Sequence, residues 1–232
     1  MIKIENVEVM GWEAAIRGMR NPMNSWEKSD SQFDRLDDCN HECIDCNLQF
    51  DECSAQQIGS SDRTLMMKLC KAGADHRKFM RMITVYMDIT APLYWWKEFD
   101  TYKVGTVANS CSTMHKIAAK EFTLEDFSHE HLLKNAVTYN GYVSTAVLEC
   151  VIGALNEFRN LYIETKNTKY WWQMIQLLPS SYNQKRTVML NYEVLANMYH
   201  SRKNHKLDEW REFCDWIESL PYSELITGEE QK

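Results

Sequence analysis

Glycine and proline are scarce, eight and four in 232 residues, which excludes collagen-like and low-complexity organisation and leaves little material for flexible linkers. No apolar run approaches the roughly 18 residues a membrane span requires. The opening MIKIENVEVMGWE carries acids where a secretory signal needs an apolar stretch. Both absences point to a cytoplasmic protein with no membrane partner. Cations are in the minority too: 26 Lys and Arg against 33 Asp and Glu give a formal charge of −7, which argues against a nucleic-acid polymer as partner. A small anionic ligand stays compatible if cations cluster locally. There is no Walker loop, GxGxxG, GxSxG or HExxH, so the simplest arguments for triphosphate, dinucleotide, serine-hydrolase and zinc-protease chemistry fall away.

What is present is a 44% hydrophobic content, enough for one sizeable core. MIKIENVEV alternates as a strand does, and GWEAAIRGMR passes through a short helix into a polar loop. Ser60, Ser61 and Asp62 offer an N-cap to a helix carrying Leu65, Met66, Leu69 and Cys70, closed by Gly73. Ile83, Val85, Met87 and Ile89 alternate with more polar neighbours and predict a strand that Pro92 ends. Thr123 and Asp126 have capping-box spacing, and Val147, Val151, Leu155, Phe158 and Tyr162 predict a helix at the centre of the core. After Pro179 the spacing predicts two helices, one with Asn191, Leu195, Met198 and Arg202 on a stripe, the other with Leu207, Trp210, Phe213, Cys214 and Ile217. Pro221 stops the second. With no repeat and no linker, residues 1–232 read as one α+β domain.

The eight cysteines divide in two. Cys70, Cys111, Cys150 and Cys214 are scattered and read as buried small hydrophobes. Cys39, Cys43, Cys46 and Cys53 crowd into an insertion, about residues 29–61, rich in Asp, Ser and Asn. Four thiols, with His41 among them, can complete a tetrahedral structural zinc site. A reduced, solvent-facing loop fits the same spacing. The insertion's apolar residues, mainly Leu36, Ile44, Leu48 and Phe50, are too few to order it by burial, whereas a metal contributes folding energy directly. The CxxxCxxC spacing of the first three also matches iron–sulfur radical enzymes, but those need a large barrel around the cluster, and the remaining chain reads as a different fold.

From Ala91 to Lys116, Trp95, Trp96, Phe99 and Tyr102 lie beside Lys97, Lys103, Asn109, Ser110, Ser112 and His115. Flat rings next to donors suit a planar heteroaromatic ligand with a phosphate; an ordinary core segment with capped turns has the same composition.

Read end to end, the order of motifs resembles the flavin-dependent thymidylate synthases. AAIR, ending at Arg17, is similar to that family's AAR element, and Ile89–Pro92 supplies its ITAP stretch. Leu177–Pro179 is followed by Asn191, Leu195, Asn197 and Arg202 at the N-x3-L-x-N-x4-R spacing, and His205 and Glu209 keep H-x3-E. The signature RHRxxSxNExSxR has diverged. Glu98 stands at the Gln before it, Thr101, Tyr102 and Lys103 at RHR, Asn109 and Ser112 at Asn and Ser, Ser110 at Glu and Met114 at the last Arg. The two ends of the motif are out of register by one residue, which places an insertion between Lys103 and Asn109. Ile175 and Glu193 occupy two further arginine positions. Lys cannot reproduce the bidentate fork of those arginines; Arg77, Lys78, Lys116 and Arg186 are candidates to compensate.

The resemblance implies an antiparallel sheet packed against several helices and a homotetramer with flavin sites between subunits. It implies FAD, recharged by NADPH, driving transfer of a one-carbon unit from methylenetetrahydrofolate to dUMP to give dTMP. Glu98, Ser110, Cys111, Ser112 and Arg202 would bind the nucleotide; His76, Tyr102, Lys103, Asn109, Asn191, Asn197 and His205 would line the flavin. Cys111 is not assigned as a nucleophile, since no base is spaced to activate it. The divergence leaves two other readings open: a non-catalytic nucleotide-binding descendant, and an enzyme for a different pyrimidine nucleotide.

Overall fold

The computed structural model describes residues 2–33, 56–135 and 137–228. Along the chain these form β1 (Lys3–Met10), α1 (Trp12–Arg20), the short β2 (Gln32–Phe33) and β3 (Gln56–Gln57), α2 (Ser60–Lys71) and β4 (Thr84–Pro92). Then come α3 (Leu93–Phe99), β5 (Val107–Ser110), α4 (Ser144–Thr165), α5 (Thr168–Leu177), β6 (Asn183–Asn191), α6 (Tyr192–Arg202), α7 (Asp208–Glu218) and α8 (Glu224–Thr227). The main sheet has the order β1-β4-β6-β5. Backbone bonds Leu93 N to Tyr182 O and Tyr192 N to Ile83 O run β4 against β6, the antiparallel α+β arrangement expected. The fold divides into two compact units, one holding Asp88–Thr101, Ala108–Val188 and the start of β1, the other Asn6–Met87, Tyr102–Val107 and the chain from Met189 onward.

In the first unit Ile117, Phe122, Phe127, Leu148, Leu155 and Met174 form the core that α4 and α5 share. Only Leu148 and Leu155 of α4 are buried, so this helix edges a core rather than centring the molecule. Thr123 and Asp126 do form a capping box, but it closes a single 3-10 turn, Leu124–Asp126. Trp95, Trp96 and Phe99 on α3 are at most 1% exposed, with ring centroids 4.9–5.1 Å apart. The aromatic segment is therefore core at these three positions, whereas Tyr102 is half-buried.

In the second unit α1, α2, α6, α7 and α8 enclose residues such as Met66, Phe79, Met80, Trp210, Phe213 and Ile217. Within α6 and α7 the expected apolar stripes are buried. After Pro179, however, β6 comes before either helix, and Asn191 is the cap of α6 rather than part of its stripe. Beyond Pro221 the chain turns into α8. The cap of α2 also differs from expectation. Gly59 occupies the cap position, and the Asp30 carboxylate accepts from Ser61 N at 2.8 Å and Asp62 N at 3.0 Å. A Cβ on Gly59 would stand 2.2 Å from that carboxylate, so the approach requires glycine. Asp62 is buried instead: Oδ1 accepts from Arg20 Nε at 2.6 Å and Oδ2 from the Ser29 and Ser31 hydroxyls at 2.7 Å. Arg20 and Asp62 thus tie α1, α2 and the Ser29–Ser31 stretch together.

Beyond Ser31 the chain pairs with itself, Gln32 opposite Gln57 and Phe33 opposite Gln56, antiparallel. Cys39, Cys43, Cys46 and Cys53 lie outside the described residues. Of the other four, Cys214 is buried and Cys70 half-buried, and burial pushes both thiols up to about 12. Cys111 and Cys150 are exposed, contrary to their reading as buried hydrophobes.

Candidate functional site

The motif residues of the second unit gather around α6. Asn191 Oδ1 accepts from Val194 N at 3.1 Å, so its side chain closes the first turn of the helix. Facing it is the Tyr102–Val107 segment, where Gly105 has φ of +78° and a Cβ would meet Asn191 Nδ2 at 2.9 Å and Val194 Cγ2 at 3.2 Å. A side chain there is opposed by both backbone conformation and space. Lys103, two residues earlier, is exposed.

Glu193 and Asn197, one turn apart, share a face of α6. Opposite them stand Arg77 and, in the following 3-10 turn, Arg81. Arg81 forks onto Glu193, with Nε on Oε2 and Nη2 at 3.3 Å from Oε1. Arg77 Nη2 donates to Asn197 Oδ1 at 3.2 Å. Arg77 Nε lies 3.6 Å from Glu193 Oε1 and is buried with no hydrogen-bond acceptor among the described residues. His76, adjacent in the chain, is exposed.

At the other end of α6 the Arg202 guanidinium lies 4.9 Å from the Trp210 ring centre and 5.7 Å from that of Tyr102. Its Nε donates to the Tyr102 hydroxyl at 3.0 Å. Trp210 is fully buried, so Arg202 rests on a rigid ring that orients its plane. His205 stands with its ring centre 6.3 Å from Trp210 and its Nδ1 accepts from Leu207 N at 3.2 Å.

In the first unit Asn109, Ser110 and Cys111 are exposed and Ser112 half-buried. This stretch is held from behind. Cys111 N donates to Lys185 O at 2.9 Å, and Gln184 Nε2 donates to Cys111 O at 2.8 Å. Gln184 Oε1 accepts from Arg186 Nε at 3.0 Å, and Arg186 Nη1 donates to Asp100 Oδ1 at 2.7 Å while lying 4.2 Å from the Trp96 ring centre. Arg186 is therefore engaged in propping this stretch. Ser112 Oγ accepts from His115 N at 2.9 Å. Glu98 is half-buried, its carbonyl accepting from Thr101 Oγ1 at 2.7 Å.

Sequence spacing brings out Asn191, Asn197 and Arg202 as one helix. It misses the props Gln184 and Asp100, and the platform Trp210, which reads as core. It does contain one signal for the cation pair: Arg77 and Arg81 have the same four-residue spacing as Glu193 and Asn197. Among the described residues no group of three or more His, Cys, Asp or Glu could hold a metal.

No protein-family model and no curated protein matches the chain. Solved structures do. Thymidylate synthase X from Helicobacter pylori, crystallised with FAD and dUMP, is 14% identical, aligns over 98% of both chains and has a TM-score of 0.65. The fold is that of thymidylate synthase X. The UMP/dUMP methylase PolB from Streptomyces cacaoi, bound with 5-Br dUMP, shares the thymidylate synthase X fold over 98% of this chain and 95% of its own, with 13% identity and a TM-score of 0.60.

Proposed function

We propose that this chain is a flavin-dependent methylase of a uridine mononucleotide, converting dUMP to dTMP with methylenetetrahydrofolate as one-carbon donor and FAD recharged by NADPH. The observation that carries this reading is α6: Asn191, Asn197 and Arg202 keep the family spacing on a helix whose start is closely approached at Gly105 and whose end meets the Tyr102–Trp210 platform. Both solved relatives bind uridylates, which supports the substrate class.

The residues present suit an anionic cofactor, because the Arg77 cation stands against Asn197 of α6 and Lys103 is exposed two residues before Gly105. His76, Tyr102, Lys103, Asn109, Asn191, Asn197 and His205 are proposed to line the flavin. FAD, when bound, supplies the electrons that reduce the transferred carbon to a methyl group. The protein's share is positioning. Arg202, set over the Trp210 ring, and separately Glu98, Ser110, Ser112 and the intervening Cys111, are proposed as the residues that bind the nucleotide.

The proposal extends to one functional domain over residues 1–232, a cytoplasmic homotetramer, a folate site, and a structural zinc on Cys39, Cys43, Cys46 and Cys53. Elemental analysis showing no metal would reject the zinc. A second reading, a non-catalytic nucleotide binder or a methylase of another pyrimidine nucleotide, is favoured by Glu193, a carboxylate at a position where the resemblance implies a cation. The deciding experiment incubates the purified protein with FAD, NADPH, methylenetetrahydrofolate and either dUMP or UMP. A flavin spectrum with dTMP formation supports the first reading. Methylation of UMP alone, or no flavin binding even with nucleotide present, supports the second.

A further inference from the structure

One face of α1, carrying Glu13, Ile16, Arg17 and Arg20, lines a cavity of about 310 Å³, within the roughly 300–1,000 Å³ of small-ligand pockets. None of the residues assigned above to flavin or uridylate lines it. Two flat rings do, Trp26 and Phe33. Trp26 is 49% exposed, yet its Nε1 donates to Asn21 Oδ1 at 2.8 Å, so a half-open ring is fixed in place. The buried side is electrically closed, because Asp62 neutralises Arg20 and also accepts from the Ser29 and Ser31 hydroxyls. Arg17 and Glu13 are joined by a single contact, Nη1 to Oε1 at 3.4 Å, with side chains 65% and 68% exposed. One oxygen of Glu13 and the Nε–Nη2 edge of Arg17 thus have no partner among the described residues.

Flat rings take a planar heterocycle, and lining charges that cancel favour a neutral one. A carboxylate only accepts and a guanidinium only donates, so the ring must offer adjacent donors to Glu13 and adjacent acceptors to Arg17. Guanine does: N1–H stands beside the 2-amino group, and O6 beside N7 is the usual bidentate partner of arginine. Adenine and uracil have no such paired donors, whereas a pterin carries the same two edges. We infer that α1 and the Trp26 turn form a second ligand site for a ring with this amino-oxo edge. Trp26 and Phe33 take its faces, Glu13 its paired donors and Arg17 its acceptors. The ring has two sources, a free guanine nucleotide or a pterin, and the site stands apart from the flavin and uridylate reading.

The test is calorimetric titration of the full-length protein with guanosine, inosine, adenosine and pterin. Inosine, which lacks the 2-amino group, is expected to bind about tenfold more weakly than guanosine, the scale of one lost base contact, and adenosine more weakly still. Glu13→Gln keeps one acceptor and should bring guanosine down to the inosine level with inosine nearly unchanged. Trp26→Leu should weaken every ligand. Both side chains are exposed, so the melting temperature of either variant should match the wild type. The tighter of guanosine and pterin names the source. No binding of either, equal affinity for guanosine and adenosine, an affinity unmoved by both substitutions, or displacement of guanosine by dUMP overturns the site. FAD and dUMP are titrated separately: if the wild-type protein binds neither, the proposed function fails and this site is still decided by the nucleoside series.

Discussion

Single side chains here act through the directions they impose on others. Tyr102 donates no charge, yet its hydroxyl fixes the Nε of Arg202 while its ring and that of Trp210 flank the guanidinium. Tyr102→Phe keeps the ring and removes the anchor. Uridylate affinity, measured by calorimetry, is expected to fall about tenfold, the scale of one hydrogen bond to a charged group, with the melting temperature nearly unchanged. Gly105 limits the same neighbourhood sterically. Gly105→Ala places a Cβ 2.9 Å from Asn191 Nδ2 in a left-handed conformation, and thermal melts should show about 1–2 kcal/mol of lost stability.

At the scale of elements, α2 is held by two acids whose roles differ. Asp30, capping from 31 residues before Ser61 in the sequence, has its carboxyl lowered chiefly by the Ser61 N–H. For Asp62, burial pushes the carboxyl up, but the Ser29 and Ser31 hydroxyls and the Arg20 guanidinium outweigh it and the net shift is downward. A depressed folded-state value means that the stabilisation is complete above the unfolded carboxylate range, about pH 4. It is lost as pH falls through the lower folded value. Melting temperature should therefore be flat from neutrality to about pH 4 and fall below it, and Asp62→Ala should make that fall shallower, leaving the part due to Asp30 and Glu130. The same substitution strands Arg20, whose side chain is 4% exposed, at about 3–5 kcal/mol.

Elements with unambiguous spacing were legible: β4 buries Val85, Met87 and Ile89, with Ile83 buried just before it, as the alternation predicts, and Gly73 follows α2 in a left-handed turn. β6 was obscured because its inward row begins with Gln184, which is 7% exposed yet polar, and continues with Arg186, whose charge is masked by Trp96 and Asp100. Local patterning carries no record of such long-range partners. The candidate site divides similarly: α6 keeps a readable spacing, whereas the Gln184 and Asp100 props depend on residues far apart in the chain.

For the whole molecule, the proposed tetramer makes a surface-based claim. Val147 and Leu161 on α4 are 43% and 36% exposed and, four turns apart, lie on one face. Nearby, Val143, Val147, Cys150, Ala154 and Leu177 line a groove of about 450 Å³. Light scattering should give four times the 27.4 kDa chain mass, and Leu161→Glu should lower it if this face is covered by a second copy; an unchanged mass would remove α4 from the interface. The paired strands β2 and β3 have a different kind of consequence. Because Phe33 faces Gln56 across the ladder, the chain departs from and returns to nearly the same point. A tight two-residue reverse turn could therefore bridge the pair with both flanks left where they are.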